Sequence, residues 1–234
     1  MIVGIITARS GSRSIPNKNS RKLGKLPLLA WVVNAANHSN LIQKTIFSTD
    51  SEEYFKIAKS INENIIFHKR TPELAEDVPH EDVLLDIVDK SKNLFNDESI
   101  IVLIQPTTPF VTGKHIDECI KKLLSNPKMN TCISVKQLEE HPEWIISKKN
   151  KESDIGICDI SGDLGVRQNL PKRWLPNGGI YVMKKTFLER EKKIIDHETL
   201  IYEMPKINSL DIDEEDDFTI CESLVKAGII SENN

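Results

Sequence analysis

Two groups of residues, one near each end of the chain, have the chemistry to act together on a polyphosphate. The first lies in residues 2–19, IVGIITARSGSRSIPNKN. A loop that wraps phosphates needs free backbone N–H groups, little side-chain bulk and a few cations. Ser10, Gly11, Ser12 and Ser14 meet the first two needs, and Arg9, Arg13 and Lys18 the third. The second group is Asp211 and Asp213, a D-x-D pair ahead of a helix. In extended backbone, residues two apart point the same way, so both carboxylates can address one hard cation. A site with few protein oxygens suits Mg²⁺ that is also held by a nucleotide.

Each group also has a plainer reading. The loop can be a polar strand-to-helix connection with solvated charges. Asp213-Glu214-Glu215-Asp216-Asp217 is an acidic run at a helix N-terminus, where carboxylates are favoured by the dipole and by capping. The loop is also not one of the common phosphate motifs. Gly24-Lys25 is followed by Leu26, and Asn19 stands where a Walker A loop has its first glycine. Gly11 lacks the companion glycines of a dinucleotide fingerprint.

The elements that must position these groups can be read from apolar periodicity. Residues 2–6 form a short apolar strand that empties into the cationic loop, and residues 27–39 carry a helical apolar face with Pro27 at the first turn. A strand at 44–48 ends in Thr49-Asp50-Ser51, a helix start running to about residue 60. A strand at 64–68 breaks into a loop at Lys69-Arg70-Thr71-Pro72. A helix over 81–93 precedes the most apolar strand, 99–104, which belongs in the middle of a sheet. It ends at Gln105-Pro106-Thr107-Thr108-Pro109, a turn stiffened by two prolines. A helix over 113–125 and a strand over 131–136 complete an alternation that predicts an α/β fold, a mainly parallel, doubly wound sheet with helices on both faces. Ligands of such sheets sit outside the carboxyl ends of the strands, so the loops holding Arg9, Asp50, Arg70 and Gln105 can converge on one crevice.

From 137 to 175 the alternation stops. An irregular stretch of this length within a compact domain is read as an insertion, an arm to a second subunit or a lid over a pocket. Strands follow at 178–183 and 199–204, and a closing helix at 215–226 stops near Gly228.

The 234 residues suit one large domain spanning 1–234, with the 137–175 insertion inside it. Charged residues at 28% and hydrophobic ones at 39% argue against disorder. A net charge of −4 argues against general affinity for nucleic acid or for an anionic membrane. No apolar run approaches the roughly 20 residues that span a bilayer. Met1 leads directly into a strand, so a cytoplasmic location is expected. Cys119, Cys132, Cys158 and Cys221 show no metal spacing and are expected as buried thiols. Taken singly, Arg70 reads as a surface charge, Asn177 as a turn residue before Gly178-Gly179, and Gln105 as either a capping group or a reader of a base or sugar edge.

Together these stretches resemble the acylneuraminate cytidylyltransferases over almost the full chain. ARSGSRSIPNKN is similar to that family's ARxGSKxxPxKN loop and is followed by FSTD. KRTPELAED is similar to R-P-x-x-L-A-x-D, and IQPTTPF to LQPTSPLR. RQNLPKRWLPNGGIYV resembles R-x-x-L-P-x-x-(aromatic)-x-x-N-G-A-I-Y, and SLDIDEEDDF resembles S-x-D-I-D-x-x-x-D-F. Six blocks in the same order are far more specific than any one of them.

The resemblance implies a Rossmann-like nucleotidyltransferase fold. It also implies transfer of CMP from CTP to a nine-carbon acidic sugar, N-acetylneuraminate or a legionaminate- or pseudaminate-type relative, with Mg²⁺ as cofactor. On motif position, Arg9, Arg13 and Lys18 face the phosphates with Ser10, Gly11 and Ser12, while Asp211 and Asp213 hold the metal. Asn19 and Arg70 face the cytidine; Gln105, Asn177 and Tyr181 face the sugar. The resemblance also implies a homodimer in which Arg167 meets the sugar carboxylate across the interface. Four departures stand out: Arg13 for a usual Lys, Ser14 for a frequent Gly, Phe110-Val111 without the Arg that often follows the second proline, and Pro79-His80-Glu81 in place of a run of small hydroxyl residues near the nucleotide. A different class, a non-catalytic nucleotide-binding protein, shares the same fold expectation.

Overall fold

The computed structural model describes residues 1–12, 14–140, 145–149, 156–158 and 171–231. The opening strand, β1 (Ile2–Thr7), buries Val3, Ile5 and Ile6 completely, as a strand covered on both faces must. A short hairpin follows, β2 (Lys22–Leu23) and β3 (Leu26–Pro27), turning through Gly24 at φ 66°. Pro27 therefore ends a strand, paired with Lys22, and α1 (Leu28–Asn37) begins one residue later than the sequence suggests.

The alternation continues through β4 (Lys44–Thr49), α2 (Glu52–Ile61), β5 (Ile66–Lys69), α3 (Pro72–Ala75) and α4 (His80–Lys90). Next come β6 (Ile100–Ile104), α5 (Gly113–Leu124) and β7 (Thr131–Gln137). From the irregular stretch the structure describes a small antiparallel pair, β8 (Ile146–Lys148) and β9 (Gly156–Cys158). The chain closes with β10 (Trp174–Lys184), α6 (Lys185–Glu191), β11 (Leu200–Glu203) and α7 (Glu215–Lys226).

Seven strands form one sheet in the order β11-β7-β10-β6-β1-β4-β5. β1, β4, β5 and β6 are mutually parallel, β11 is parallel to β7, and β10 runs against both of its neighbours, β6 and β7. Strand alternation sorts the core into two layers. One face packs Ile6, Phe47, Val102, Ile104, Ile180 and Val182 under α1, α2 and α5. The other packs Val3, Ile5, Ile46, Leu103 and Met183 under α4 and α6. A third cluster, including Ile15, Leu28, Trp31, Phe110, Ile212 and Phe218, ties the hairpin to the start of α1 and to α7.

The chain moves outward from β1 to β4 to β5 and then returns to the far side of β1 as β6. That reversal opens a crevice at the carboxyl ends of β1 and β6. Among the described residues no helix is long and apolar enough to cross a membrane. Cys119, Cys132 and Cys221 are free and buried.

Candidate active site

A cleft of about 390 Å³ lies at that reversal, lined by the loop after β1, the turn after β6, Arg70 beyond β5 and the start of α4. Its cationic-loop wall is held by its own sequence. Asp50, at the end of β4, accepts the Ser10 backbone N–H at 2.8 Å and the Ser10 hydroxyl as well, which clips the loop to the neighbouring strand. Asn17 adopts a left-handed conformation at φ 54°, which asparagine tolerates, and starts the 3-10 turn that carries Lys18 and Asn19 inward. Asn19 donates to the Arg9 carbonyl at 3.1 Å, leaving its own Oδ1 buried without a partner. The Thr7 hydroxyl is likewise buried and unpartnered. Buried polar atoms are rarely left unpaired, so two such atoms beside one cleft mark a surface prepared for another molecule.

Arg70 is 8% exposed and lines the same cleft. Burial pulls its guanidinium down to about 10, opposed by Asp50 and aided by Arg9; it stays cationic at neutral pH. Across the cleft Gln105 bonds His80 at 3.1 Å. Burial, with Arg70 nearby, lowers the His80 imidazole and keeps it neutral.

The acidic wall comes from the other end of the chain. The Ile212 N–H donates to the Thr107 carbonyl at 2.8 Å, so the 211–213 segment is hung on the turn after β6. Ile212 is fully buried in the third core cluster. Lys18 Nζ reaches this segment, donating to the Ile212 carbonyl at 2.6 Å and lying 3.9 Å from Asp213 Oδ1. The cationic loop and the acid pair, 193 to 195 residues apart in sequence, are thus in direct contact through one lysine.

The two aspartates differ. The Asp213 side chain is 77% exposed, whereas Asp211 Oδ1 is buried and unpartnered. Burial pushes the Asp211 carboxyl above its usual range, with Asp213 adding to the rise while Thr107, Lys18 and Lys136 oppose it. Neither carboxylate is the cap of α7. Glu214 is the N-cap, and Asp217, at the third helical position, closes a capping box by accepting the backbone N–H groups of Asp213 at 3.0 Å and Glu214 at 2.8 Å. The plainer reading of the acidic run therefore belongs to Glu214–Asp217 and not to Asp211 and Asp213. Among the described residues no three His, Cys, Asp or Glu side chains are grouped to hold a metal. An orphaned oxygen on Asp211 with Asp213 two residues on nevertheless fits a cation whose other ligands come from phosphate and water.

Asn177 sits differently from expectation. It is 2% exposed and internally bonded: Oδ1 accepts from Ser134 at 2.6 Å and from the Gly179 N–H at 3.1 Å, and Nδ2 donates to Ser209 at 2.8 Å. It holds the irregular part of β10, where a Cβ added to Gly178, at φ 77°, would meet Asp211 Oδ2 at 3.0 Å. Tyr181 is half-buried among the residues under α4, its hydroxyl raised by burial and by Asp211. Gln105, Ser12, Arg9 and Lys18 line the cleft; Ser10 is engaged by Asp50, and Gly11 stands in open space. Arg13 and Arg167 lie outside the described residues. Sequence reasoning passes over Thr7, reads His80 as a loop residue where the structure starts α4, and notes Asp50 only as part of a strand-end turn.

The chain is 32% identical to the N-acylneuraminate cytidylyltransferase of Escherichia coli over 94% of its own length and 51% of that protein. It is 34% identical to the enzyme of the same name from Streptococcus agalactiae, covering 92% and 51%. The chain thus spans about half the length of these curated relatives. A flagellin modification protein B of Campylobacter coli matches at 28% over 96% of this chain and 95% of its own. In fold, a CMP:2-keto-3-deoxy-manno-octonic acid synthetase complexed with CTP superposes with TM-score 0.70 at 12% identity, covering 97% of this chain and 99% of its own. A 4-diphosphocytidyl-2C-methyl-D-erythritol synthase does so with TM-score 0.67 at 9% identity, covering 96% and 98%. The cytidylyltransferase family model itself matches residues 3–152, and the chain belongs to that family.

Proposed function

We propose that this chain transfers CMP from CTP to the anomeric C2 hydroxyl of N-acetylneuraminate, releasing pyrophosphate. The observation that carries the reading is Lys18, whose ammonium joins the small-residue loop to the Asp211–Asp213 segment in one cleft. In-line attack at the α-phosphate builds charge on the equatorial and leaving oxygens. Arg9 and Lys18 supply fixed positive charge there, and Arg13 joins them by its place in the loop. Asn19 Oδ1, Thr7 Oγ1 and Arg70 offer one acceptor, one hydroxyl and a planar set of donors to the cytidine. Asp211 and Asp213 hold Mg²⁺, which when bound neutralises charge on the phosphates. Asp211 also takes the proton of the attacking hydroxyl.

The partner subunit in this reading is a second copy. Ile145, Ile146, Trp174 and Leu175 are exposed on and beside β8 and at the start of β10, apolar side chains that a homodimer would cover. Arg167 is assigned to the sugar carboxylate because a bidentate guanidinium matches that group. A second acceptor, a legionaminate- or pseudaminate-type acid, draws on the near full-length match to a flagellin modification protein.

Asp213→Asn tests the reading. CMP-sugar formation should fall by about 10³-fold with an unchanged melting curve, and EDTA should abolish wild-type turnover. Wild-type rates in the variant, or in EDTA, contradict the acid–metal assignment. A panel of CTP with each sugar acid identifies the acceptor.

A further inference from the structure

Beneath Arg70 runs a buried chain of polar side chains that the reaction does not use directly. Ser48, on β4, and His68, on β5, are register partners on adjacent parallel strands and so present their side chains to the same face. They are 0% and 5% exposed. Arg70 Nε donates to Ser48 Oγ at 3.0 Å, Ser48 Oγ lies 3.0 Å from His68 Nδ1, and His68 Nε2 lies 2.8 Å from Asp86 Oδ2. Lys90, one turn along α4, donates to the same oxygen at 2.8 Å.

The proton on each bond follows by elimination. A guanidinium only donates, so Ser48 Oγ accepts from Arg70 and its single hydrogen is left for His68 Nδ1. A carboxylate only accepts, so the imidazole hydrogen lies on Nε2 and is donated to Asp86, and in the neutral ring Nδ1 is bare and accepts from Ser48. With His68 neutral, each hydrogen in the chain meets an acceptor; with His68 protonated, the two lone pairs of Ser48 Oγ take two cationic donors and the hydroxyl hydrogen has no acceptor in the chain. A second proton on His68 turns Nδ1 into a donor aimed at an oxygen that already accepts from Arg70.

We propose that Ser48 and His68 are positioning residues that hold the Arg70 guanidinium in its cleft geometry, so that nucleotide affinity depends on a neutral His68. The inference rests on the nucleotide reading of the cleft. The charged groups facing His68 are Asp86 and Lys90 from α4 and Arg70 from the loop after β5, while β4 contributes the uncharged Ser48. Burial is the largest influence on the imidazole and lowers it, outweighing the Asp86 carboxylate, so the ring is neutral at pH 7.

The test measures CTP binding by calorimetry on the full chain in four proteins: wild type, His68→Leu, Arg70→Ala and the double variant. His68→Leu should weaken CTP by about tenfold in the wild-type background and by less than about twofold in the Arg70→Ala background. An equal loss in both backgrounds means that His68 acts through general packing, and it overturns the inference. His68→Gln supplies the conservative rescue, because its amide can accept from Ser48 and donate to Asp86 without titrating. It should bind CTP within about threefold of wild type at pH 7.5. As pH falls, its affinity should exceed that of wild type, with the titration of CTP itself common to both proteins. Parallel pH profiles for the two proteins would also overturn the inference. Ser48→Ala, which removes a single oxygen, should repeat the Arg70-dependent loss should His68→Leu fold poorly. A wild-type chain that binds no CTP removes the nucleotide reading and this inference with it.

Discussion

Asp117 and Asp211 are both withdrawn from solvent, yet their surroundings treat them in opposite ways. Asp117, on α5, faces the turn that feeds the amino end of β4. It accepts from the Ser39 hydroxyl, the Asn40 N–H at 3.0 Å, the Asn40 side chain at 3.1 Å and the Leu41 N–H at 3.2 Å. Burial alone would raise its carboxyl, but those four bonds together outweigh burial and hold it below the usual range. Asp211, hung on the turn at the carboxyl end of β6, keeps one buried oxygen without a partner, and its carboxyl is held above that range. The first aspartate joins two elements of the fold. The second is kept at a cost to the fold, as expected of a group whose partner is a ligand.

That contrast is most sharply tested by changing each aspartate in turn. Asp211→Asn should lower CMP-sugar formation by about 10³-fold, since both the metal contact and the base are lost. Without divalent metal the same variant should melt higher than wild type, by roughly the 2–4 °C that 1 kcal/mol is worth at this chain length. A lower melting temperature would mean that the Asp211 charge is satisfied in the free protein, against the comparison. Asp117→Ala should do the reverse. Leaving the Ser39, Asn40 and Leu41 donors short of an acceptor costs about 3 kcal/mol in denaturant unfolding. Turnover per folded molecule should not change.

The contrast also explains what could be read before any coordinates. β1 and β6 were legible because strands buried on both faces read as nearly unbroken apolar runs, and α7 begins and ends where its apolar spacing and Gly228 place it. The β2–β3 hairpin and α3 are too short to show a period, and α6 buries only Phe187 and Leu188. Within the cleft, Arg9 and Lys18 are visible as cations among small residues, whereas Asn19 and Arg70, the latter a surface charge when taken singly, are singled out only by the resemblance of their motifs. Asn177 did not separate so easily. An amide before two glycines looks the same whether its bonds go inward, as they do to Ser134, Gly179 and Ser209, or outward to a ligand. Thr7 and Ser48 were invisible for a related reason: a hydroxyl at a strand end acquires meaning only from the strand paired beside it.

Gly178 links the two ends of the comparison on a smaller scale. At φ 77° its backbone favours glycine, and an added Cβ would meet Asp211 Oδ2 at 3.0 Å and Thr108 Oγ1 at 3.3 Å. Gly178→Ala should cost about 1–2 kcal/mol of stability and reduce kcat by about tenfold while leaving KM for CTP unchanged, because the displaced group is the carboxylate and not the nucleotide loop. A defect confined to KM for CTP would separate Gly178 from Asp211.

The smallest effect is the acid dependence of stability, where the two aspartates have opposite signs. The folded-state carboxyl of Asp117 lies below its unfolded value of about 3.9, so its contribution is fully present above that value and is lost as pH falls toward the folded one. Asp211 is raised, so its ionisation opposes folding above the folded value, and that penalty disappears in acid. Stability measured in urea from pH 6 down to about 2.5 should therefore show Asp117→Asn converging on wild type from below, and metal-free Asp211→Asn converging on it from above. Curves that approach wild type from the same side would mean that both carboxylates have the same standing in the fold, whatever their hydrogen-bond partners.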